Sequence, residues 1–326
     1  MIVPFAAAFI SFIVVFAFTP WMIRYLRRIN LVVKDQNKKD KPLIPLSGGL
    51  AVIAGIFTSI MFYVFIRTFY FHDEGSLLLI FAALTSLLMI TFVGFFDDLL
   101  IRKDKETSYG LKQWQKPILT LMAAVPLIVV SAGNTNMGIP FYRVVDFGLV
   151  YPLLILPLGF VFSANMVNLL AGYNGLETGM GLVYTGMLSI YAYVNGSYVA
   201  SLIALVTFSA LLAFFIYNKY PAKIFPGDSL TYLLGGAIAI IGITGDIERA
   251  AIIAGIPFII EFFLKMRSKF KAQTYGHYEN GKVKTDYDKI YSLPHIFTRT
   301  GKFTEKQVVY IMMFIELIFC SVIWFI

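Results

Sequence analysis

The sequence predicts an all-α, polytopic membrane protein with about ten transmembrane helices. Of its 326 residues, 58% are hydrophobic and only 14% are charged, and the mean hydropathy is +0.76. A soluble domain carries about 25% charged residues, so this chain has too few charges to cover a water-exposed surface. Ten helices of about 20 residues would use about 200 residues, close to the apolar total. The single cysteine, Cys320, excludes an internal disulfide.

Ten apolar segments follow one another along the chain, separated by polar or charged connections. They cover residues 2–23, 46–70, 76–96, 117–132, 147–162, 178–194, 198–217, 230–244, 249–264 and 308–326. The first segment has neither a basic stretch before it nor a small-residue cleavage site. We therefore interpret it as a retained span rather than a signal peptide.

The distribution of the basic residues predicts the orientation in the membrane. The connections 24–45, 97–116, 163–177, 218–229 and 265–307 hold 24 of the 27 Lys and Arg residues. Because short connections rich in Lys and Arg stay cytoplasmic, both termini are expected outside. The net charge of +8 therefore indicates topology before it indicates a ligand, and we expect no nucleic acid partner.

Residues 1–326 are predicted to form one integral membrane domain. The largest connection, the basic loop 265–307, is too short and too polar for a core of its own, so it should fold against the membrane face. The outer connections are poor in polar clusters, whereas the inner connections hold four. We therefore expect the active site on the cytoplasmic face.

The first cluster is a pair of adjacent acids, Asp97 and Asp98, at the inner end of the third segment. Neighbouring side chains on a helix point about 100° apart, so both cannot face the same surroundings. At a membrane interface they suit a metal–phosphate site or a general base. The alternative is a charged helix end among the lipid headgroups.

Amide and glycine residues dominate the second cluster, and an acid marks the third. Asn165 and Asn168 share a helical face, and Gly172 allows the following loop to approach a ligand closely. Asp228 follows a Pro-Gly turn just before the eighth segment. Amide and carboxylate oxygens suit Mg²⁺. The alternatives are a polar turn for the second cluster and a helix N-cap for the third.

The fourth cluster is the basic loop itself, in which aromatic residues alternate with Lys and Arg. Such a loop is able to bind anionic headgroups or to cover a phosphorylated substrate, and it also fits a simple positive-inside tether. Lys116 in the second connection is a candidate to balance phosphate charge. Together the clusters favour Mg²⁺-assisted phosphoryl transfer between a soluble anion and a lipid.

Four of these stretches resemble the polyprenyl-phosphate N-acetylhexosamine-1-phosphate transferases. GFFDD at 94–98 is similar to the family's aspartate pair, NMVN and AGYNGLE within 165–177 to its asparagine-rich loop, and FPGDS at 225–229 to its Gly-Asp motif. DQNK at 35–38, with NGLE at 174–177, resembles the dolichyl-phosphate branch of archaea and eukaryotes. The last inner loop lacks the histidine cluster of the bacterial peptidoglycan branch.

The resemblance implies a reaction. UDP-N-acetylglucosamine and dolichyl phosphate would give dolichyl-diphospho-N-acetylglucosamine and UMP, the first membrane step of N-glycan assembly. It also implies Mg²⁺, with Mn²⁺ as a substitute. The implied roles are catalysis for Asp97, Asp98 and Lys116, metal binding for Asn168 and Asp228, and substrate binding for Gly172, Asn174, Phe225, Asp35 and Asn37.

The chain departs from the family pattern in the last inner loop, where the dolichyl branch carries an Arg-His run. Arg267, Lys269, Lys271 and His277 are substitutes for that run by location only. Alternative substrates are therefore another UDP-N-acetylhexosamine or undecaprenyl phosphate. A different class, a transporter of an anionic lipid or nucleotide, would need a polar site near the midplane, whereas these clusters lie at segment ends.

The expected setting follows from the same interpretation. The partners are a UDP-N-acetylhexosamine, a polyprenyl or dolichyl phosphate and the lipid bilayer, and the sequence leaves a homodimer open. Short loops favour an archaeal cell membrane, and a eukaryotic member of the family would reside in the endoplasmic reticulum.

Overall fold

The computed structural model describes residues 2–100, 110–112 and 114–326. Arg102, Lys103 and Lys105, which contribute to the predicted inner charge, lie outside the described residues. Within these ranges, twelve helices are numbered in chain order: α1 Ile2–Arg28, α2 Gly49–Phe69, α3 Leu77–Leu100, α4 Gln115–Val130, α5 Leu156–Leu169, α6 Leu176–Val194, α7 Tyr198–Asn218, α8 Gly227–Gly245, α9 Glu248–Ala254, α10 Ile256–Met266, α11 His295–Thr298 and α12 Glu305–Val322. A π-helical turn, Tyr151–Ile155, leads into α5, and a 3₁₀ turn, Ile323–Phe325, follows α12.

Within the described part of the chain, seven helical stretches are long and apolar enough to cross a membrane. They are α1, α2, α3, the π-turn with α5, α7, α8, and α12 with its 3₁₀ turn. The helix α4 is a shorter apolar helix. The predicted mostly helical membrane protein is confirmed, whereas the count of ten spans and the orientation stay predictions.

Three two-stranded antiparallel hairpins accompany the helices in the described residues. They are β1 Val32–Lys34 with β2 Leu43–Pro45, β3 Asn136–Gly138 with β4 Val144–Asp146, and β5 His277–Glu279 with β6 Lys282–Lys284. The first hairpin is fixed to the turn before α8, because the Phe225 N–H donates to the Pro45 carbonyl (2.8 Å) and the Gly48 N–H to the Phe225 carbonyl (2.9 Å). This docking brings residues 34–38 to the N-terminal end of α8.

The helix α8 lies at the centre of the bundle, packed against α2, α3, α5 and α7. Lipid tails are as apolar as Leu, so helices in a membrane associate through close packing and hydrogen bonds rather than through apolar burial. Gly235 leaves no room for a side chain beside the Ser163 carbonyl, and the Ser163 hydroxyl donates to the Gly235 carbonyl (2.6 Å). The N-terminus of α8, with Asp228, is thereby held beside the C-terminus of α5.

The ninth predicted segment, 249–264, is two helices rather than one. The chain breaks between α9 and α10 at Gly255, and Pro257 stands in the first turn of α10. Proline has no N–H to donate, so it is tolerated at a helix start but not in a helix interior. The break leaves α10 leading directly into the basic loop 265–307.

Candidate active site

Three helix ends bring together two carboxylates and one ammonium group. Asp97 at the end of α3 is 1% exposed, and its Oδ2 lies 2.5 Å from the Lys116 Nζ at the start of α4. The same Nζ lies 3.4 Å from the Asp228 Oδ2 in the first turn of α8. The Asp228 side chain is 23% exposed. Lys116 therefore bridges a buried acid and an acid that a ligand is able to reach.

Asp98, although adjacent to Asp97, has different surroundings. Its side chain is fully buried, and its Oδ1 accepts the Asp228 N–H at 2.7 Å. Its Oδ2 accepts the Ser47 hydroxyl at 2.7 Å and the Ser229 N–H at 3.2 Å. Asp98 therefore satisfies the unpaired N–H groups that begin α8. The predicted catalytic role of Asp98 stays a prediction, but these contacts make it a positioning residue that holds Asp228.

The two predicted metal ligands lie on different helices, Asn168 on α5 and Asp228 on α8. A threonine of α8 links them. Thr231, one turn after Asp228, donates its hydroxyl to the Asn168 Oδ1 at 3.1 Å. Among the described residues, no group of three or more His, Cys, Asp or Glu side chains is arranged to hold a metal ion. Mg²⁺ commonly binds through one or two carboxylates together with substrate phosphates and waters. The Asp228 carboxylate and the Asn168 amide supply oxygen atoms, which are the ligands that Mg²⁺ prefers.

A cavity of about 250 Å³ opens beside the carboxylate cluster. Its walls come from the β1–β2 connection, the loop between α5 and α6, the turn before α8 and the basic loop. Six of the predicted site residues line it, and they are Asp35, Asn37, Gly172, Asn174, Phe225 and Asp228. The structure therefore brings together most of the residues that the motifs indicated, in one polar cavity with an aromatic wall.

The loop between α5 and α6 depends on glycine. Gly172 has a φ of +145° and Gly175 a φ of +88°, conformations that residues with a Cβ rarely adopt. The Gly172 N–H donates to the Glu177 Oε1 at 2.8 Å, and its carbonyl accepts the Asn37 Nδ2 at 2.7 Å. The loop is thus fixed from both sides, which confirms the tight glycine loop expected from the sequence.

Asp35 and Asn174 form the buried floor of this cavity. The Asn174 Nδ2 donates to the Asp35 Oδ2 at 2.9 Å. This bond fixes which way the amide points, and the Asn174 Oδ1 is buried without a hydrogen-bond partner in the described part of the chain. Asn37 differs, because its Oδ1 accepts the Gly276 N–H (3.3 Å) and both polar atoms of its amide have a partner. Asn37 holds loops together, whereas the Asn174 Oδ1 is an unpaired acceptor at the floor of the cavity.

Two acids that the motifs did not single out support this floor. Glu305, the first residue of α12, accepts the Asn174 N–H at 2.8 Å and pairs with Lys38. Lys38 also lies 3.7 Å from the Asp35 Oδ2. The second acid is the buried Glu177. Glu177 belongs to the NGLE motif at 174–177, so the sequence contained a signal for it. Glu305 lies far along the chain, outside every motif that indicated the site.

A five-residue strap, residues 272–276 of the basic loop, crosses one side of the cavity. Tyr275 lines the cavity. The Lys265 Nζ donates to the Ala272 carbonyl at 2.8 Å and to the Thr274 hydroxyl at 2.7 Å. The Tyr173 hydroxyl donates to the Thr274 carbonyl at 3.0 Å. The basic loop therefore contributes an aromatic side chain to the site and a buried lysine that holds the strap in place.

His295 holds the same strap from the opposite side. Its side chain is fully buried, and its Nε2 lies 3.0 Å from the Gln273 carbonyl. Its Nδ1 accepts the Tyr291 N–H at 3.3 Å. Burial lowers the pKa of His295 to about 4, so the ring is neutral near pH 7, with the proton on Nε2. His295 is therefore a structural histidine of the strap.

The four basic-loop residues predicted to replace the Arg-His run do not line the cavity. Arg267 donates to the Ile290 carbonyl at 3.3 Å. His277 lies on the exposed β5–β6 hairpin, and its Nδ1 is 2.6 Å from the Asp286 Oδ1. Lys269 and Lys271 are exposed. Their predicted substrate contacts stay predictions, and Tyr275 is the residue that this loop places at the site.

A second, apolar cavity of about 160 Å³ lies between α5, α8, α9 and α10. Phe160, Phe162, Ile238 and Ile259 are among its lining residues. One wall of this cavity is formed by α5, which ends close to Asn168. An apolar cavity along the helix that leads to the polar site suits a substrate with a hydrocarbon part and a charged part.

Comparison with known proteins places this arrangement among transferases. Residues 79–246 match the glycosyl transferase family 4. A protein of Saccharolobus solfataricus, provisionally named UDP-N-acetylglucosamine–dolichyl-phosphate N-acetylglucosaminephosphotransferase, is 40% identical over 319 residues, covering 96% of this chain and 93% of that protein.

Two further relatives represent different branches. The UDP-N-acetylglucosamine–dolichyl-phosphate N-acetylglucosaminephosphotransferase of Dictyostelium discoideum is 28% identical over 337 residues, covering 89% of this chain and 80% of that protein. A phospho-N-acetylmuramoyl-pentapeptide-transferase of Halalkalibacterium halodurans is 33% identical over 265 residues, covering 77% of this chain and 78% of that protein. The similarity to the dolichyl-phosphate enzymes extends over more of this chain.

Proposed function

The chain belongs to the glycosyl transferase family 4, and we propose that it transfers N-acetylglucosamine-1-phosphate from UDP-N-acetylglucosamine to dolichyl phosphate. The products are dolichyl-diphospho-N-acetylglucosamine and UMP. The names of the archaeal and Dictyostelium relatives support the substrates. The observation that carries the proposal is the polar cavity of about 250 Å³ that ends at Asp228, where the Lys116 ammonium group also lies.

The reaction needs little covalent chemistry from the protein. An oxygen of the lipid phosphate forms a bond to the sugar-bearing phosphorus, and the bond from that phosphorus to the bridging oxygen breaks, so UMP leaves with the electron pair. Such transfers depend on in-line positioning and on neutralising the phosphate charge. Lys116 supplies a fixed positive charge between Asp97 and Asp228.

Asp228 and Asn168 are the residues that would hold Mg²⁺, with Mn²⁺ as a substitute. The bound ion would neutralise diphosphate charge and favour departure of UMP. Asp98 keeps Asp228 at the start of α8 through the hydrogen bond to its N–H. Thr231 orients the Asn168 oxygen. The ligand set therefore depends on two positioning residues as well as on its own oxygens.

Asp97 is buried beside Lys116, so it would act on the acceptor phosphate through that lysine rather than by direct contact. A phosphate monoester has a second pKa near 6, so near neutral pH it is largely dianionic and needs little help from a base. We assign Asp97, together with Lys116, to positioning the reacting groups. Direct attack by the lipid phosphate follows, and a trapped phospho-aspartyl intermediate would contradict it.

The apolar cavity between α5, α8, α9 and α10 is the proposed place for the prenyl chain. Its lining removes CH₂ groups from water, and α5 connects it to the polar end at Asn168. The active site is proposed to face the cytoplasm, because the basic connections lie on its side. The chain would then act in an archaeal cell membrane or, in a eukaryote, in the endoplasmic reticulum.

The relative from Halalkalibacterium halodurans favours a second candidate, transfer of a phospho-N-acetylmuramoyl-pentapeptide. The chemistry is the same, and only the sugar and the lipid differ. A panel of UDP-N-acetylglucosamine, UDP-N-acetylgalactosamine and UDP-N-acetylmuramoyl-pentapeptide, each with dolichyl or undecaprenyl phosphate, separates the candidates.

The direct test is a transferase assay on purified protein with radiolabelled UDP-N-acetylglucosamine, dolichyl phosphate and Mg²⁺. We expect a labelled lipid and stoichiometric UMP, both abolished by EDTA and restored by excess Mg²⁺. A folded protein that binds UMP but makes no product with any donor of the panel would contradict the proposal.

A further inference from the structure

The polar cavity of about 250 Å³, which is the proposed site of UDP-N-acetylglucosamine, is called the nucleotide cavity. A third cavity, of about 270 Å³, shares the lining residue Asn174 with it. It opens between the end of α7 and the start of α12, two helices that are long and apolar enough to span a membrane. Its lining residues are Asn174, Phe215, Lys219, Tyr220, Lys306, Val309 and Tyr310. We call it the α7–α12 groove. It is a gap between membrane helices at the end where the active site lies.

Among the described residues that line it, the α7–α12 groove has positive charge and no acid. Lys219 and Lys306 both line it, and neither has an ion-pair partner among the described residues. The neighbouring acid, Glu305, is already occupied by Lys38 and by the Asn174 N–H. Within the described part of the chain, the two ammonium groups are therefore uncompensated.

Aromatic residues flank the two lysines. Tyr220 and Tyr310 are exposed, and the Lys306 Nζ lies 5.7 Å from the Tyr310 ring centroid. Tyrosines with an apolar ring and a polar tip concentrate at the headgroup level of membranes. Phe215 and Val309 supply an apolar wall below. The groove is therefore charged and polar at its rim and apolar beneath, which matches a lipid rather than a free ion.

We propose that the α7–α12 groove binds the phosphate headgroup of an anionic membrane phospholipid. Basic pockets between membrane helices are typical sites for such headgroups. Lys219 and Lys306 would contact the phosphate, the tyrosine hydroxyls would donate to its oxygens, and the acyl chains would follow Phe215 and Val309. This lipid is distinct from the substrate, whose phosphate belongs beside Asp228.

The groove shares Asn174 with the nucleotide cavity, since this residue lines both. Glu305, which accepts the Asn174 N–H, immediately precedes Lys306. A lipid that restrains Lys306 and Lys219 therefore restrains the floor on which the nucleotide would rest. We expect the lipid to tighten UMP binding, an expectation that depends on the proposed function of the nucleotide cavity.

The test measures lipid retention by native mass spectrometry on purified full-length protein, after exchange into neutral detergent with added phosphatidylglycerol or phosphatidylcholine. We expect wild type to retain phosphatidylglycerol selectively. The double variant Lys219→Gln/Lys306→Gln should retain it roughly 25-fold more weakly, at about fivefold for each lysine. The matched double variant Lys282→Gln/Lys302→Gln removes the same charge from exposed positions outside the groove and should bind like wild type.

Equal retention by wild type and the groove variant would overturn the proposal, and so would an equal loss in the matched variant, which would indicate general surface charge. Millimolar inorganic phosphate identifies the source of the anion. If it displaces phosphatidylglycerol completely, the site is one for free phosphate and the lipid assignment is wrong. Asp228→Ala should leave retention unchanged, because the substrate phosphate site is separate.

The failure of this inference is distinguishable from failure of the proposed function. Lipid retention requires neither UDP-N-acetylglucosamine nor turnover. Calorimetric titration with UMP, with and without phosphatidylglycerol, tests the coupling, and we expect at least threefold tighter binding with the lipid in wild type alone. Protein that retains the lipid but does not bind UMP would count against the nucleotide cavity and leave the α7–α12 groove supported.

Discussion

The two ends of the nucleotide cavity are built in different ways. At the carboxylate end, Asp97, Lys116 and Asp228 stand on the ends of three packed helices, and their geometry follows from the packing of α3, α4 and α8. At the strap end, residues 272–276 have no regular structure and are held by side chains that bond to their backbone. The positions of the charged groups therefore depend on helix packing. The position of the strap depends on a few buried polar side chains.

This difference has a consequence for variants. A substitution at the carboxylate end should remove catalysis while the fold persists, since the reacting groups are few. A substitution in the strap should alter stability or substrate affinity and leave the turnover number nearly intact. Four predictions test this contrast, beginning with the largest expected effect.

Asp228→Ala should lower turnover by about 10³-fold or more, because it removes both the proposed metal ligand and one partner of Lys116. The measurement is single-turnover formation of labelled lipid over a range of Mg²⁺ concentrations. Ser321→Ala, at a half-buried position on α12 whose hydroxyl donates to the Leu317 carbonyl of the same helix, serves as a control for handling and should retain full activity. Turnover near wild type in Asp228→Ala would remove the metal assignment.

Asp97→Asn should mainly affect catalysis and Asp98→Asn should mainly affect stability, although the two residues are adjacent. Asp97→Asn should lower kcat by about 10²-fold and leave UMP affinity unchanged, and its cost in stability should be the smaller of the two because Lys116 keeps Asp228 as a partner. Asp98→Asn replaces one acceptor oxygen by a donor that faces Ser47 or the N–H groups of α8, and should cost roughly 1–3 kcal/mol of stability. Kinetics and thermal unfolding are measured on both. Equal unfolding temperatures with equal losses of kcat would contradict the separation of roles.

Much of the carboxylate end was predictable from sequence. Asp97, Asn168 and Asp228 lie in motifs at segment ends, and such ends converge wherever the helices pack. The division of labour between Asp97 and Asp98 was only partly predictable: the 100° between neighbours predicted different surroundings but not which acid would cap α8. That choice depends on Ser47 and on the docking of the first hairpin, which are contacts between distant parts of the chain.

The strap end was less predictable for a physical reason. Composition left three roles open for the basic loop, namely headgroup binding, covering a phosphorylated substrate and a positive-inside tether. The loop segment that reaches the cavity is held by Lys265 and His295, which bond to residues 272–274. Lys265 resembled any other lysine in a basic stretch, and only burial distinguishes it. Glu305 likewise has no local signal, because its partners, Asn174 and Lys38, come from two other loops.

His295 offers a pH test of the strap. Its folded-state pKa of about 4 lies below the usual 6.5, so the folded protein binds fewer protons than the unfolded chain between these values. Its stabilising contribution is therefore complete above about pH 6.5 and is lost as the pH falls toward 4, by roughly 2–3 kcal/mol in total.

Thermal unfolding at pH 7.5 and pH 5 measures this loss. His295→Gln, which keeps one donor and one acceptor, should unfold with a smaller difference between the two pH values than wild type. At pH 7.5 its kcat should stay within about twofold of wild type, because the ring does not touch the reacting atoms. An unchanged pH dependence of unfolding in the variant would mean that another group carries it.

Lys269→Ala is expected to have the smallest effect and gives the sharpest information on the strap. The residue is exposed and lines no part of the nucleotide cavity, so KM and the preference among UDP-sugars should change by less than about twofold. Tyr275→Leu is the matched comparison, because it removes the aromatic side chain that does line the cavity, and it should raise KM several-fold. If Lys269→Ala instead changes the sugar preference and Tyr275→Leu does not, the basic loop must rearrange when substrate binds, and the strap would be a closing element rather than a fixed wall.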